Sequence, residues 1–212
     1  YNIESMPGTG YRLISASDIL SQDYMRENIT HPCRIQVFEK VDSTNNVAKQ
    51  ITDCSIPQII VANEQTGGRG RLGRSFYSPA GTGLYITIAF KPSFGLDRAM
   101  LITAAAAVVV CRAIEKVSGL RPKIKWVNDV FLKGKKVAGI LTEAALSMES
   151  GAVDYIVLGV GFNLYAPKEG FPPELASVAG AILDTPRDNG KNALTAAFLN
   201  RFWALYQAPE GY

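Results

Sequence analysis

Histidine is nearly absent from this chain. His31 is the single one in 212 residues, it stands next to Pro32, and it lies far along the chain from the Gly/Arg-rich stretch at Glu64–Phe76. That argues against a His-based catalytic triad and against a multi-histidine metal site. Cysteine is scarce too: Cys33, Cys54 and Cys111 are odd in number, widely spaced and free of metal-ligand spacing. Such a pattern supports no disulfide framework and points to a reducing, cytoplasmic setting. No uncharged apolar run reaches membrane-spanning length, and no signal peptide is visible. The longest apolar run, Met100–Cys111, is alanine-rich and bounded by Arg98 and Arg112, and it reads as a buried helix. A strong excess of one charge is also missing. Lys and Arg number 22 against 19 Asp and Glu, and the resulting +3 is too mild for a dedicated nucleic-acid coat. No repeat or low-complexity tract occurs.

What is present is glycine and arginine in one place. Glu64–Phe76 reads E-Q-T-G-G-R-G-R-L-G-R-S-F, with Gly67, Gly68, Gly70 and Gly73 set around Arg69, Arg71 and Arg74. Glycines at this density permit positive φ and close backbone approach, and they disfavour both helix and strand. Guanidinium groups grip carboxylate and phosphate oxygens. The stretch therefore reads as a loop that closes over a small anion and becomes ordered when the ligand arrives. A solvated basic loop or a nucleic-acid-binding Arg/Gly segment has the same composition.

The length fits one sizeable domain with a small appendage. The chain begins at Tyr1 without a methionine, which suggests a fragment. Residues 2–14 predict a β-hairpin turning at Met6–Gly10, and residues 15–28 a short helix capped by Ser15 or Ser17. A strand is predicted over Arg34–Glu39, then a helix through Ile51 with Asp42, Ser43 and Thr44 as cap candidates. Gln58–Asn63 and Leu84–Phe90 read as strands, and Leu96–Val117 as a long helix ending before Gly119.

Lys123–Asp129, K-I-K-W-V-N-D, predicts a strand over Lys123–Val127 with Ile124 and Trp126 on one face and Lys125 on the other. Asn128 and Asp129 then turn into a hairpin of Val130–Leu132 and Lys136–Leu146, interrupted by Gly139. A solvated strand lysine is the plain alternative for Lys125. Tyr155–Asn163 is an apolar strand carrying Gly159 and Gly161, which leave room for something to lie against the backbone, or for a tight strand crossing. A short element is expected around Glu174–Ala179. Lys191–Tyr206 reads as an amphipathic helix with Leu194, Phe198, Phe202 and Leu205 on its core face. Together these elements predict an α+β fold, a mainly antiparallel mixed sheet covered by helices, with the polar stretches at strand ends.

In order, V-D-S-T-N, E-Q-T-G-G-R-G-R-L-G-R-S-F, K-W-V-N-D, K-V-A-G-I-L-T-E and G-V-G-F-N resemble the catalytic domain of biotin–protein ligases, the biotin–[acetyl-CoA-carboxylase] ligases. The likeness runs from Arg34 to about Tyr206. It implies a class II aminoacyl-tRNA synthetase/biotin synthetase-like fold. It also implies an enzyme that makes biotinyl-5′-AMP from biotin and MgATP, then biotinylates a lysine of a biotin carboxyl carrier protein. Carried over by residue, Ser43, Thr44 and Gln65 would bind biotin's ureido ring, Asn45 would also contact biotin, and Gly68, Arg69, Gly70 and Arg71 would form the closing loop. Gly139, Gly159 and Gly161 would line biotin. Lys125 would sit between biotin's carboxylate and the α-phosphate, with Arg71 as the second catalytic residue. Arg69, Arg71, Arg74, Phe76, Lys125, Asn128 and Asn163 would hold the nucleotide, with no metal held by protein side chains. Val127 stands where the family usually has Pro. The chemistry fits: a carboxylate and a triphosphate must meet, and a fixed lysine with mobile arginines offsets their repulsion.

The resemblance further divides the chain into residues 1–14, similar to the wing of a winged-helix domain, a connector over 15–30, and a catalytic domain over 31–212. The small C-terminal β domain of family members is expected to be missing. DNA binding is expected only if a complete winged-helix domain precedes this chain, and homodimerisation through a sheet edge is expected. A lipoate or octanoate protein ligase of the same superfamily is the rival enzyme, although its usual R-R-x-S-G-G-G loop and extra histidines are absent.

Overall fold

The computed structural model describes residues 2–15, 18–51, 53–92, 96–146 and 153–207. Strands β1 (Asn2–Met6) and β2 (Gly10–Ser15) form a separate two-stranded antiparallel sheet, turning where the sequence predicts. Helix α1 (Gln22–Asn28) follows. Its cap is Ser21, whose hydroxyl accepts from the Tyr24 N–H at 3.2 Å. The expected cap Ser15 instead belongs to β2, and Ser17 lies outside the described residues. The start is shifted because a distant group holds Ser21: its N–H donates to Asn192 Oδ1 at 2.9 Å.

The main sheet has seven strands in the order β3-β4-β5-β9-β8-β7-β6. They are β3 (Arg34–Val41), β4 (Gln58–Gln65), β5 (Gly83–Phe90), β6 (Lys123–Lys125), β7 (Asp129–Leu132), β8 (Lys135–Leu146) and β9 (Val153–Asn163). Only β3 and β4 run parallel, joined through α2 (Thr44–Lys49); every other pairing is antiparallel. A parallel pair needs such a crossover, whereas β7 and β8 turn tightly through Lys133 and Gly134, both at positive φ.

Alternation along the central strands sends side chains to two faces. Ile59 and Val61 of β4 join Ile86 and Ile88 of β5 in a large core beneath α3 (Leu96–Ser118) and α5 (Gly190–Gln207). Ile60, Ala89 and Val157 point the other way and pack against Ala48 of α2. The two-sided burial explains why β5 is buried at every position. Helix α5 buries more than the predicted stripe. Leu194, Phe198 and Phe202 are in the core as expected, and Lys191, Asn192 and Thr195 are buried as well. Beyond β9, the short helix α4 (Pro173–Ala176) overlaps the segment expected to hold an element, starting one residue earlier and ending sooner.

At one edge, β6 is shorter than predicted. It stops at Lys125, and the cis-linked Trp126–Val127 pair lies in the turn, with Trp126 80% exposed. All three residues of β6 are exposed, and its lysines suit a strand with one open edge.

Candidate active site

The C-terminal end of β3 and the start of α2 bring Ser43, Thr44 and Asn45 to the sheet, each no more than 4% exposed. Ser43 occupies the N-cap position by its backbone, yet its side chain makes no capping bond. Capping therefore does not account for this hydroxyl. These three residues and Gln65 form one wall of a cavity of about 280 Å³. Gly139, Gly159 and Gly161 line it from β8 and β9. Their lack of side chains is used: a Cβ at Gly161 would lie 2.5 Å from the Phe76 ring, and one at Gly159 would collide with Asn45 Oδ1. Phe76 thus lies on a bare patch of sheet where Gly139 and Gly161 are directly paired.

The Gly/Arg loop folds back on itself. Phe76 N–H donates to the Gly68 carbonyl at 2.9 Å, Gly70 N–H to Arg74 at 2.7 Å, and Arg71–Gly73 make a single 3-10 turn. Its tip reaches the far side of the cavity, where Arg71 Nη1 donates to Asn128 Oδ1 at 3.0 Å. Arg69, Arg71, Arg74, Phe76 and Asn128 all line the cavity. Lining charge is predominantly positive: these three arginines and Lys136 face only Asp129 as an acid. The arrangement suits an anionic ligand.

The polar wall is a continuous hydrogen-bonded row. Gln65 Nε2 donates to Ser78 Oγ at 3.0 Å, and Ser78 Oγ donates to the Phe76 carbonyl at 2.9 Å. Gln65 Oε1 accepts from Thr44 N–H at 2.8 Å and lies 3.0 Å from Thr44 Oγ1. Thr87 Oγ1, fully buried, lies 2.8 Å from Thr44 Oγ1 and 2.7 Å from Asn45 Oδ1. Asn45 Nδ2 donates to Glu143 Oε2 at 2.9 Å, and Lys49 Nζ to Glu143 Oε1 at 2.6 Å. Burial alone would raise the Glu143 pKa, but the Lys49 and Asn45 bonds outweigh it and hold the carboxyl below its ordinary value. Tyr85, buried against Gly83, is pushed the other way by desolvation and stays neutral.

A second cavity of about 520 Å³ shares Gln65, Ser75, Phe76 and Lys136 with the first. Asn163 and Gly68 line this second space and not the first. Asn163 Nδ2 donates to the Lys136 carbonyl at 3.3 Å. The structure therefore gathers most of the predicted site residues around two adjoining cavities. Lys125 is the exception: it lines neither, is exposed, and rests its ammonium 5.4 Å from the Phe131 ring.

The lysine at the junction is Lys136. Its Nζ pairs with Asp129 Oδ1 at 2.7 Å and lies 5.8 Å from the Phe76 ring centroid. It lies within K-V-A-G-I-L-T-E, a stretch noted in the sequence without a role for its first residue. Three residues before Gly139, it sits beside the bare patch of sheet, and Lys136 and Phe76 both crowd the position a Gly139 Cβ would take. Thr87, Glu143 and Ser78 also escaped the sequence reading. Glu143 closes that same K-V-A-G-I-L-T-E stretch, yet no role followed for it or for the other two, because the bonds that set them in the wall reach residues 13 to 98 positions away.

Comparison with known proteins follows the same lines. The model of the biotin/lipoate A/B protein ligase family matches residues 37–163. The chain is similar to the bifunctional ligase/repressor BirA of Bacillus subtilis (strain 168), with 32% identity over 187 residues, 86% of this chain and 57% of that protein. It is similar to the biotin–[acetyl-CoA-carboxylase] ligase of Paracoccus denitrificans, with 38% identity over 131 residues, 60% of this chain and 53% of that protein. The chain thus spans little more than half the length of these relatives. Among solved structures, it is similar to a biotin protein ligase from Aquifex aeolicus in complex with biotin and ATP, with TM-score 0.67, 26% identity, 82% of this chain and 71% of that one. It is similar too to a Leishmania major biotin protein ligase in complex with biotin, with TM-score 0.68, 25% identity, 85% of this chain and 77% of that one.

Proposed function

The chain belongs to the biotin/lipoate A/B protein ligase family, and we propose that it activates biotin as biotinyl-5′-AMP and transfers the biotinyl group to a lysine of a biotin carboxyl carrier domain. The observation that carries biotin over lipoate is the buried polar wall. Ser43, Thr44 and Asn45 present hydroxyl and amide groups at nearly zero exposure, and the partly buried Gln65 adds a second amide. A cyclic urea has both donors and an acceptor to meet them. A dithiolane or an alkyl chain has neither, and would leave the bonding capacity not spent inside the wall, such as the Ser43 hydroxyl, desolvated at a cost of about 1–3 kcal/mol.

In this reading biotin lies in the first cavity with its ring at the polar wall and its carboxylate toward Lys136. The nucleotide lies in the second, between Phe76 and Asn163. Lys136 takes the role that the sequence reading gave to Lys125, because it borders both spaces and Lys125 borders neither. Its ammonium offsets the repulsion between carboxylate and α-phosphate without exchanging a proton, since the carboxylate is already the nucleophile. The carboxylate oxygen forms a bond to phosphorus as the bond to pyrophosphate breaks. The carrier's neutral lysine amine then attacks the acyl carbon, forming an amide and expelling AMP. Arg69, Arg71 and Arg74, which line the first cavity, serve the phosphate that meets biotin's carboxylate there. Magnesium enters as part of the MgATP substrate.

The class II aminoacyl-tRNA synthetase-like description of the fold, a cytoplasmic location and a homodimer belong to the same proposal. So does the division at residues 14 and 30. Contact with DNA is proposed only for a longer chain in which a full winged-helix domain precedes β1.

Thermal unfolding with biotin, lipoate or an oligonucleotide tests the reading. Biotin at one hundred times its dissociation constant should stabilise by about 2.7 kcal/mol. Biotin should also trigger pyrophosphate release from MgATP. Stabilisation by lipoate or by the oligonucleotide with none by biotin would sink it.

A further inference from the structure

The polar wall of the first cavity holds fewer hydrogens than oxygen contacts. From Asn45 Oδ1 through Thr87 Oγ1 and Thr44 Oγ1 to Gln65 Oε1 there are three short contacts, at 2.7, 2.8 and 3.0 Å. Two hydroxyls supply only two hydrogens for them.

Both ends of the row are acceptors, each for an identifiable reason. At one end, the Ser78 hydroxyl spends its hydrogen on the Phe76 carbonyl, so Ser78 Oγ has to accept from Gln65 Nε2. That turns Gln65 Oε1 toward Thr44. At the other end stands Glu143, ionised at neutral pH because its bonds to Lys49 and Asn45 hold its pKa down. An ionised carboxylate only accepts, so Asn45 has to face it with Nδ2, which leaves Oδ1 toward Thr87. Turning the Asn45 carboxamide over would supply the missing hydrogen to the row. Glu143 opposes that turn.

We propose that Glu143 is a positioning residue: it holds the Asn45 carboxamide in the orientation that is less satisfied internally, so that the wall meets its ligand as an acceptor. In every distribution of the two hydrogens Thr44 spends its own inside the wall and keeps a lone pair for the cavity. Asn45, which also lines the cavity, adds Oδ1 over Gly159. Such a wall selects a ring that carries N–H donors. With Asn45 turned over, a hydrogen replaces one of those lone pairs. The inference rests on the biotin reading only for the identity of the ring.

Glu143→Gln provides the test. Its side-chain oxygen serves Lys49 and its nitrogen faces Asn45, which then answers with Oδ1 and turns over. Calorimetry compares biotin with a cyclic carbamate analogue in which a ring N–H is replaced by oxygen. The unaltered protein should prefer biotin by about tenfold or more, the order of one neutral hydrogen bond. Glu143→Gln should lose most of that preference, and Glu143→Asp, still an acceptor alone, should keep it. A Glu143→Gln protein that binds both ligands more weakly by the same factor, or binds biotin unchanged, overturns the proposal. Independently, the side-chain amide signal of Asn45 in the ligand-free protein, assigned by its loss in Asn45→Asp, should shift in Glu143→Gln. No shift overturns the role of Glu143 whatever binds. A shift in a protein that binds neither ligand leaves the orientation by Glu143 standing and removes the biotin reading.

Discussion

Two lysines on strands either side of β7 show how position decides chemistry. Lys125 ends a short edge strand, exposed, with Phe131 as its neighbour. Lys136, second residue of β8, stands between two cavities, paired with Asp129. In sequence both look alike: a lysine on a predicted strand, next to a motif. What separates them is the register of β7 against β8, which sets Asp129 opposite Gly139 and leaves β6 at the open edge. Local sequence carries no record of that pairing. The expected outcome is that Lys136→Ala lowers biotin-dependent pyrophosphate release by on the order of 10²–10³-fold, as for loss of one group that stabilises charge in a transition state. Lys125→Ala should retain near-normal release. Both are measured on proteins with native circular dichroism, and the opposite result would return the role to Lys125.

At the scale of elements, α5 does more than close the core. Its first turn binds the connector before α1: Asn192 Oδ1 accepts from Ser21 N–H at 2.9 Å, and its Nδ2 donates to the Ile19 carbonyl at 2.8 Å. Asp18 accepts from the Lys191 N–H at 2.8 Å and from the Tyr165 hydroxyl. Asn192 is fully buried, so Asn192→Ala strands two backbone groups. The loss should be about 2 kcal/mol, a fall in Tm of about 4–8 °C. Thermal unfolding checks it, and a Tm within a degree of the unaltered protein's would mean that water replaces the bonds. The hydrophobic positions of α5 were legible from their spacing, because helical period alone brings Leu194, Phe198 and Phe202 together. The burial of Lys191 and Asn192 was not, since it depends on a connector more than 170 residues earlier. The same division holds for the strands. Their cores were readable from β-branched runs, while the place of Ser21 as cap and the early end of β6 follow from long-range contacts.

Across the whole molecule, the two stretches that were plainest in sequence meet over the sheet. The Gly/Arg loop leaves β4, second in the strand order, and the Asn128 turn precedes β7, sixth in it. The bond between Arg71 and Asn128 therefore spans β5, β9 and β8 and lies over the cavity between them. Sequence composition marked the loop as a grip for anions, but it did not say what the loop would grip when folded. The structure gives it a protein partner on the opposite rim. A contact of this kind does little for stability, because Arg71 is exposed. Under the proposed function its value lies in closure, keeping the acyl-adenylate from water and from stray amines. Arg71→Gly removes both the guanidinium and the tie, and Asn128→Ala removes the tie while sparing the arginine. Arg71→Gly should therefore release adenylate faster and label the lysines of an unrelated protein incubated with biotin and MgATP. Asn128→Ala should do so to a smaller degree, since Arg71 still meets the phosphate. Biotin affinity should change little in either, because the polar wall around Thr44 and Gln65 is untouched. The readouts are blotting of the bystander for biotin and the rate of adenylate loss. Labelling and release at the level of the unaltered protein in both variants would show that the loop closes without Arg71.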